Sequence, residues 1–237
     1  RGIIMFYEST RGGLKSVSSA EAIKRGIAPD GGLFVPDREI TLSLDEIGKL
    51  VHMNYQQRAA AILKYYLSDY TDQEIEECVN NAYTLEKFGC EDIAPIYKLT
   101  DNIHVLELWH GPTSAFKDMA LQILPHFLVK AMRKTGETDE IVILVATSGD
   151  TGKAALEGFR DVDGTKIIVF FPNNGVSEVQ KRQMITQEGR NVYAIAVEGN
   201  FDDAQNGVKA IFTNKELIDS MKRNGYKFSS ANSINWG

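Results

Sequence analysis

Cysteine is scarce in this sequence: two residues in 237, Cys78 and Cys90, with no CxxC or metal-ligand spacing. That excludes a disulfide framework and a zinc knuckle, and fits a reducing cytoplasm. The histidines His52, His104, His110 and His126 are scattered without HxxxH pairing, so no histidine-based metal centre is expected. A basic surplus is also missing, with 26 Lys and Arg against 32 Asp and Glu and a formal charge of −6. Such a chain cannot neutralise a nucleic-acid backbone, although a few local groups can still hold a small anion. No apolar run approaches a membrane span. Arg1 to Tyr7 is too short for a signal peptide and lacks a cleavage site; Arg1 to Ile4 read as residues ahead of a native start at Met5. What is present, 43% hydrophobic and 24% charged residues, describes a globular protein long enough for one large or two smaller domains.

Residues 1–98 read as a mainly helical N-terminal accessory domain. Glycine turns at Thr10-Arg11-Gly12-Gly13 and Pro29-Asp30-Gly31-Gly32 come first. Ser43-Leu44-Asp45-Glu46 and Thr71-Asp72-Gln73-Glu74 then have capping-box form. Ile47, Leu50 and Val51, and likewise Ile75, Val79 and Ala82, recur at helical spacing, so each helix is expected to bury one apolar side. Residues 99–237 change rhythm. Short apolar stretches at 104–108, 141–146, 166–171 and 192–197 alternate with helix-compatible segments at 153–159, 177–187 and 202–212, which predicts an α/β region with a parallel sheet. The run 141–146 is apolar on both faces, as in a strand covered by helices on both sides. Ser177 to Gln180 is a third capping-box candidate.

Two segments carry chemistry. In Leu106 to Ala120 an apolar strand breaks at Gly111-Pro112 and a helix follows, with Lys117 at its start. Cations are disfavoured at that end of a helix, and the neutral amine is the form that condenses with an aldehyde. A solvent-facing lysine ahead of a helix-favouring aspartate is the alternative reading of the same residues. The second segment, Val145 to Ala155, runs from strand through the turn Thr147-Ser148-Gly149-Asp150-Thr151-Gly152 into a helix and presents free N–H groups to an anion. A nucleotide-binding P-loop is excluded by spacing: Thr147 stands where the first glycine belongs, and Ala154 where the magnesium-binding hydroxyl belongs. A capped helix after a sheet strand is the plain alternative.

Taken together, Tyr7-Glu8-Ser9-Thr10-Arg11-Gly12, Asp30-Gly31-Gly32-Leu33, Phe116-Lys117-Asp118, the Thr147 to Gly152 turn, Val176 to Met184, Gly199 to Asp203 and Asn232 to Trp236 occur in an order that resembles the threonine synthase family over nearly the whole chain. The resemblance implies fold type II, pyridoxal phosphate (PLP) as cofactor, and conversion of the phosphorylated amino acid O-phospho-L-homoserine and water to L-threonine and phosphate. It further implies that Lys117 holds PLP as a Schiff base and serves as general base and acid, that Phe116 packs near the cofactor, and that Asp150 lies near the PLP 3-oxygen. Ser148, Gly149, Thr151 and Gly152 would receive the substrate carboxylate. Thr151, Asn200 and Asn232 to Asn235, Ser233 among them, are candidates for the substrate phosphate, with Arg11 as a further one. Each is equally readable as a turn or packing residue, Asn200 as a left-handed turn former before a helix capped by Asp202. Trp109 and His110 are expected to set the strand-to-helix bend.

Family members continue through a Gly-Asn-rich loop that cradles the PLP phosphate and a late group that contacts the pyridine nitrogen. Gly237 also departs from the Ala-Arg common after that tryptophan. The chain therefore reads as truncated before the rest of the large domain, with the remainder of its own chain as its expected partner. Such a fragment is expected to bind PLP weakly and not to turn over. Competing readings are a threonine-synthase-like phospho-lyase, a deaminating dehydratase of the same fold group, and a non-catalytic anion-binding module.

Overall fold

The computed structural model describes residues 4–231. Strands β1 (Tyr7–Ser9) and β2 (Phe34–Pro36) flank helix α1 (Ser19–Arg25), and helices α2 (Leu44–Leu50), α3 (Tyr55–Tyr66), α4 (Asp72–Ala82) and α5 (Leu85–Phe88) follow. A hairpin of β3 (Ile96–Lys98) and β4 (His104–Leu106) leads into α6 (Asp118–Leu121) and α7 (Leu124–Lys134). The rest alternates: β5 (Glu140–Ala146), α8 (Asp150–Phe159), β6 (Thr165–Pro172), α9 (Glu178–Ile185), β7 (Val192–Val197), α10 (Phe201–Thr213), α11 (Lys215–Arg223) and β8 (Tyr226–Ser230).

Local capping decides where the N-terminal helices start. Ser43 with Glu46 and Thr71 with Glu74 form reciprocal capping boxes, as their spacing predicts, and Asn54 with Gln57 forms a third using two amides. Helix α4 buries Ile75, Cys78, Val79 and Ala82 along one stripe. Helix α2 departs from expectation and buries none of its residues, with Val51 just beyond it 67% exposed. Apolar spacing gives a helix a face that can be buried, but the burial itself needs an opposing element that covers that face.

Strands β7-β6-β5-β8 form one sheet with every pairing parallel, in register Ile143↔Ile167 and Leu144↔Ser230 about the central β5. Successive residues of β5 point to opposite faces, and Ile141 through Val145 are all buried, so both faces are covered as the run 141–146 predicts. The stretch 104–108 corrects the expectation: β4 pairs antiparallel with β3 in a separate hairpin, because five residues between two short strands can close a hairpin but cannot make a parallel crossover. Strand β8 completes the sheet instead. Its sequence Tyr-Lys-Phe-Ser-Ser is too polar to announce a sheet strand.

Two apolar clusters hold the molecule together. One joins β5 and β6 to Leu156 and Phe159 of α8; the other gathers Ile75, Val79, Tyr83 and Phe88 among the helices. Helix α7 serves both, giving Leu124 and Leu128 to the first and Phe127 and Ala131 to the second. Each such large side chain, fully buried, contributes about 1.5–3 kcal/mol.

Candidate active site

The segment that carries Lys117 is closed around a buried carboxylate. Asp118 is 0% exposed, and its Oδ2 accepts from the Thr113 amide at 2.8 Å while its Oδ1 accepts from the Thr113 hydroxyl at 2.8 Å. Gly111 lies against it so closely that a Cβ there would stand 2.5 Å from Asp118 Oδ2, which is why glycine is needed where the strand breaks. Ser114 adopts φ 56°, completing the bend. Upstream, His110 Nε2 meets Glu107 Oε2 at 2.7 Å and the His110 ring stacks on Trp109, so these side chains bind the segment to itself. Burial pushes the Asp118 carboxyl above the usual aspartate range, outweighing the bonds from Thr113.

Lys117 is the N-terminal boundary residue of α6, and its carbonyl accepts from Leu121 N–H at 2.9 Å. The helix is fastened from two sides. Tyr83 Oη donates to Met119 O at 2.6 Å, and Gly158 of α8 sits directly on the Leu121 carbonyl. The Lys117 side chain is half-buried and has no carboxylate partner among the described residues; Nζ lies over the Phe116 ring, 4.3 Å from its centroid. Phe116 itself is 59% exposed. Both residues line a cavity of about 910 Å³ together with Tyr55, Arg58 and Tyr83 of the N-terminal helices.

The glycine turn stands at a different place in the fold. From β5 the chain moves outward through β6 to β7, then returns over α10 and α11 to β8 on the other side of β5. The carboxyl ends of β5 and β8 therefore flank a topological switch point, where open α/β sheets bind ligands. The turn leaves β5 there. Thr147 Oγ1 accepts from the amides of Gly149 and Gly152, both at 3.0 Å, whereas the amides of Ser148, Asp150 and Thr151 and the hydroxyls of Ser148 and Thr151 find no acceptor or donor among the described residues. Gly149 takes φ 152°, and a Cβ on it would meet the Gln180 amide at 2.5 Å. Gln180 Nε2 donates to Asp150 Oδ1 at 2.6 Å, and Gln180 Oε1 accepts from the Ser177 hydroxyl. Five amides and hydroxyls facing outward at the start of α8 make a cradle for an anion.

Of the residues singled out from sequence, Lys117 and Phe116 share a cavity wall that includes none of residues 147–152. Asn200 corrects one reading. It is extended, with φ −102° and ψ −176°, and is itself the cap of α10, its side chain accepting from Asp203 N–H; the positive φ belongs to Gly199 and Asp202 lies inside the helix. Asn232 and Ser233, with the rest of 232–235, lie outside the described residues. Arg11 Nη1 donates to the Asp30 carbonyl at 3.0 Å, in a clasp where the Asp30 carboxylate gathers Ser9 Oγ and the amides of Gly13 and Gly32. Sequence reasoning did not single out Gln180 as a partner of Asp150, nor Arg58 on the wall with Lys117. The capping-box pattern pointed to Gln180 for another purpose: Ser177 accepts its amide, but its side chain turns to Asp150.

Comparison with known proteins identifies the family of the chain. The family model described as threonine synthase N terminus matches residues 6–83. A threonine synthase of Pseudomonas aeruginosa is 41% identical over 233 residues, covering 98% of this chain and 48% of that protein. Threonine synthase-like 1 of Homo sapiens is 41% identical over 227 residues, covering 92% of this chain and 30% of that protein. The crystal structure of PLP bound threonine synthase from Brucella melitensis superimposes with a TM-score of 0.86 at 39% identity, over 98% of this chain and 48% of that one. The chain thus spans about half the length of the bacterial relatives it matches, and less of the human one. With a fold shared over almost all of its length and identity near 40%, the chain belongs to the threonine synthase family, as the counterpart of that family's N-terminal portion.

Proposed function

We propose that this chain supplies the lysine-bearing portion of a PLP-dependent threonine synthase, which converts O-phospho-L-homoserine and water to L-threonine and phosphate in the cytoplasm. The observation that carries the reading is Lys117: a half-buried amine, free of any carboxylate partner among the described residues, on the wall of a cavity of about 910 Å³. An amine so placed is available to an aldehyde, and the cavity has the size of a small-molecule site. When bound, PLP supplies an electron sink for carbanion charge developing on the substrate.

The residues of the chain then divide the work. Lys117 would hold the cofactor, and its amine would move protons at Cα and Cβ of the substrate. Asp118 and Thr113 keep the backbone of Lys117 in place from beneath. Asp150, steadied by Gln180, would lie near the PLP 3-oxygen, and Phe116 would offer its exposed ring as an apolar wall. The outward-facing donors of Ser148 and Thr151 serve the substrate carboxylate, in a turn whose Gly149 and Gly152 amides are instead taken up by Thr147 Oγ1, with Asn200, Asn232 and Ser233 as further substrate contacts. Residues 1–98 act as the accessory domain and 99–237 as the cofactor-binding region.

The test is to mix the protein with PLP, reduce with borohydride and map the modified peptide. The label is expected on Lys117 and is expected to vanish in Lys117→Ala. Visible absorbance that survives in Lys117→Ala would refute the assignment. Product analysis of the phosphorylated substrate, reading threonine against a keto acid, separates synthase from phospho-lyase.

A further inference from the structure

A second cavity, of about 530 Å³, lies between α1, β2, α3 and the start of α7, with Ile23, Gly26, Phe34, Leu63, Ile123 and Phe127 on its wall. None of the described residues that line it is charged. The hydroxyls of Tyr7 and Ser19 on the wall are already donated, to Tyr66 O at 3.0 Å and to Asp69 Oδ1. Ile23, Phe34, Leu63 and Ile123 are only half-buried. Such a wall offers little to an anion and gains from apolar side chains, whose burial is favourable in proportion to the area removed from water.

The chain itself arrives at the wall of this cavity. Strand β8 ends against α1, where Ser229 Oγ donates to Lys24 O at 3.2 Å. A Cβ on Gly26, which lines the cavity, would stand 2.8 Å from Ser230 O. Ala231, the last described residue, is 3% exposed and belongs to the cluster against which Ile23 packs. The run that follows, outside the described residues, is Asn232-Ser233-Ile234-Asn235-Trp236. Ile234 and Trp236 are its large apolar side chains and are spaced by two, so an extended segment turns both to one side and Ser233 and Asn235 to the other. At about 3.3–3.6 Å per residue, Ile234 reaches about 11 Å and Trp236 about 18 Å from Ala231. That reach is ample for a cavity whose wall Gly26 already forms.

We propose that Ile234 and Trp236 dock in this cavity and brace, from behind, the wall that carries Lys117. Leu63, Ala120 and Ile123 line both cavities, and Ala120 follows Lys117 within the short helix α6. Filling the rear cavity therefore supports the helix at whose start the amine stands. The same docking holds Asn232 and Ser233 at the carboxyl end of β8, beside the switch point where the glycine turn leaves β5. Ile234 and Trp236 are thus positioning residues. The docking follows from the cavity and the run of residues alone, whereas its bearing on catalysis rests on the reading of Lys117 as the reactive amine.

Trp109 and Trp236 are the tryptophans of the sequence, so Trp109→Phe leaves Trp236 as the sole reporter. Its emission is expected to be blue-shifted, and its quenching by acrylamide several-fold weaker than in the same protein unfolded in urea. Ala22→Leu extends a wall residue into the cavity and should shift that emission to the red and raise the quenching. With Trp109 in place, Trp236→Ala should lower the melting midpoint and slow PLP labelling of Lys117. Indole, added as a free apolar probe, should restore both and change wild type less, because an apolar hole admits a ligand of matching shape. Where Trp236→Ala does not fold, Trp236→Phe should show smaller shifts in the same directions. The proposal is overturned if Trp236 is quenched equally in the folded and unfolded protein, or if Ala22→Leu leaves its emission unchanged at a wild-type melting midpoint. It is also overturned if indole raises the wild-type midpoint as much as that of Trp236→Ala, which would mean a cavity open to small apolar ligands, or if Trp236→Ala labels like wild type. Failure of PLP to label Lys117 in wild type would sink the cofactor reading, and the fluorescence and the indole melts would still decide the docking.

Discussion

Asp30 and Asp118 each organise a glycine-containing loop by gathering hydrogen-bond donors on a carboxylate, and they titrate in opposite directions. Asp30 accepts from Ser9 Oγ and from the amides of Gly13 and Gly32, and the Ser9 bond leads in holding its carboxyl below the usual aspartate range. Asp118 accepts from the amide and hydroxyl of Thr113, yet burial leads and its carboxyl moves up. At Asp30 water still shares the charge, so every bond lowers the pKa; at Asp118 the loss of water outweighs both bonds. Both loops lie in segments that carry the family resemblance. The first satisfies its own polar groups and works as a clasp between β1 and the turn before β2. The second spends its carboxylate on the backbone and leaves the neighbouring amine, Lys117, without a partner among the described residues. A motif whose polar groups bond to one another therefore reads as structural, and one that leaves a group unpaired on a cavity wall marks a candidate site.

The contrast can be broken by mutation. Asp118→Ala leaves two donors of Thr113 in a buried place without an acceptor and is expected to cost about 3 kcal/mol in urea unfolding. Asp30→Ala should cost clearly less, and equal losses would abolish the distinction between the fully buried and the partly exposed clasp. Gly111→Ala drives a methyl group into the Asp118 carboxylate and is expected to cost about 2 kcal/mol by overpacking. It should also slow PLP labelling of Lys117, whereas an unchanged labelling rate would mean that the loop adjusts without moving the amine.

The smallest effect is in the pH dependence. The folded pKa of Asp118 lies above the ordinary aspartate value of about 3.9, so its contribution is fully present below that value and is lost as pH rises through the folded pKa. Wild type should therefore lose stability relative to Asp118→Asn on raising the pH from about 4. Asp30, with a lowered pKa, contributes above the ordinary aspartate value and loses that contribution as pH falls through its folded pKa, so the gap between wild type and Asp30→Asn should close on acidification. Thermal melts across this range read both slopes, and slopes of the same sign would contradict the contrast.

Legibility followed the range of the interactions concerned. Strand β5 could be read because Ile141 to Val145 are apolar at every position, a pattern that only a doubly covered strand tolerates. Strand β4 looked equally regular, but alternation within one strand says nothing about its partner, which proved to be β3. Ile47 and Val51 had helical spacing and still remain 46% and 67% exposed. In the site, Lys117 and the Thr147 to Gly152 turn lie within short contiguous motifs and stood out. Gln180 and Arg58 did not, since their positions 30 residues and more from Asp150 and Lys117 carry no local signature.

Sequence alone determined the capping boxes at Ser43 and Thr71, the strand-turn-helix at residues 145–155, and the candidacy of Lys117. Each depends on hydrogen bonds or steric rules that act within a few residues. Tertiary structure alone decided that β8 rather than β4 joins the sheet, that Asp118 is buried while Asp30 is not, and that Arg58 shares a cavity with Lys117. Those outcomes depend on which distant segments exclude water from one another, a collective property that no local pattern encodes.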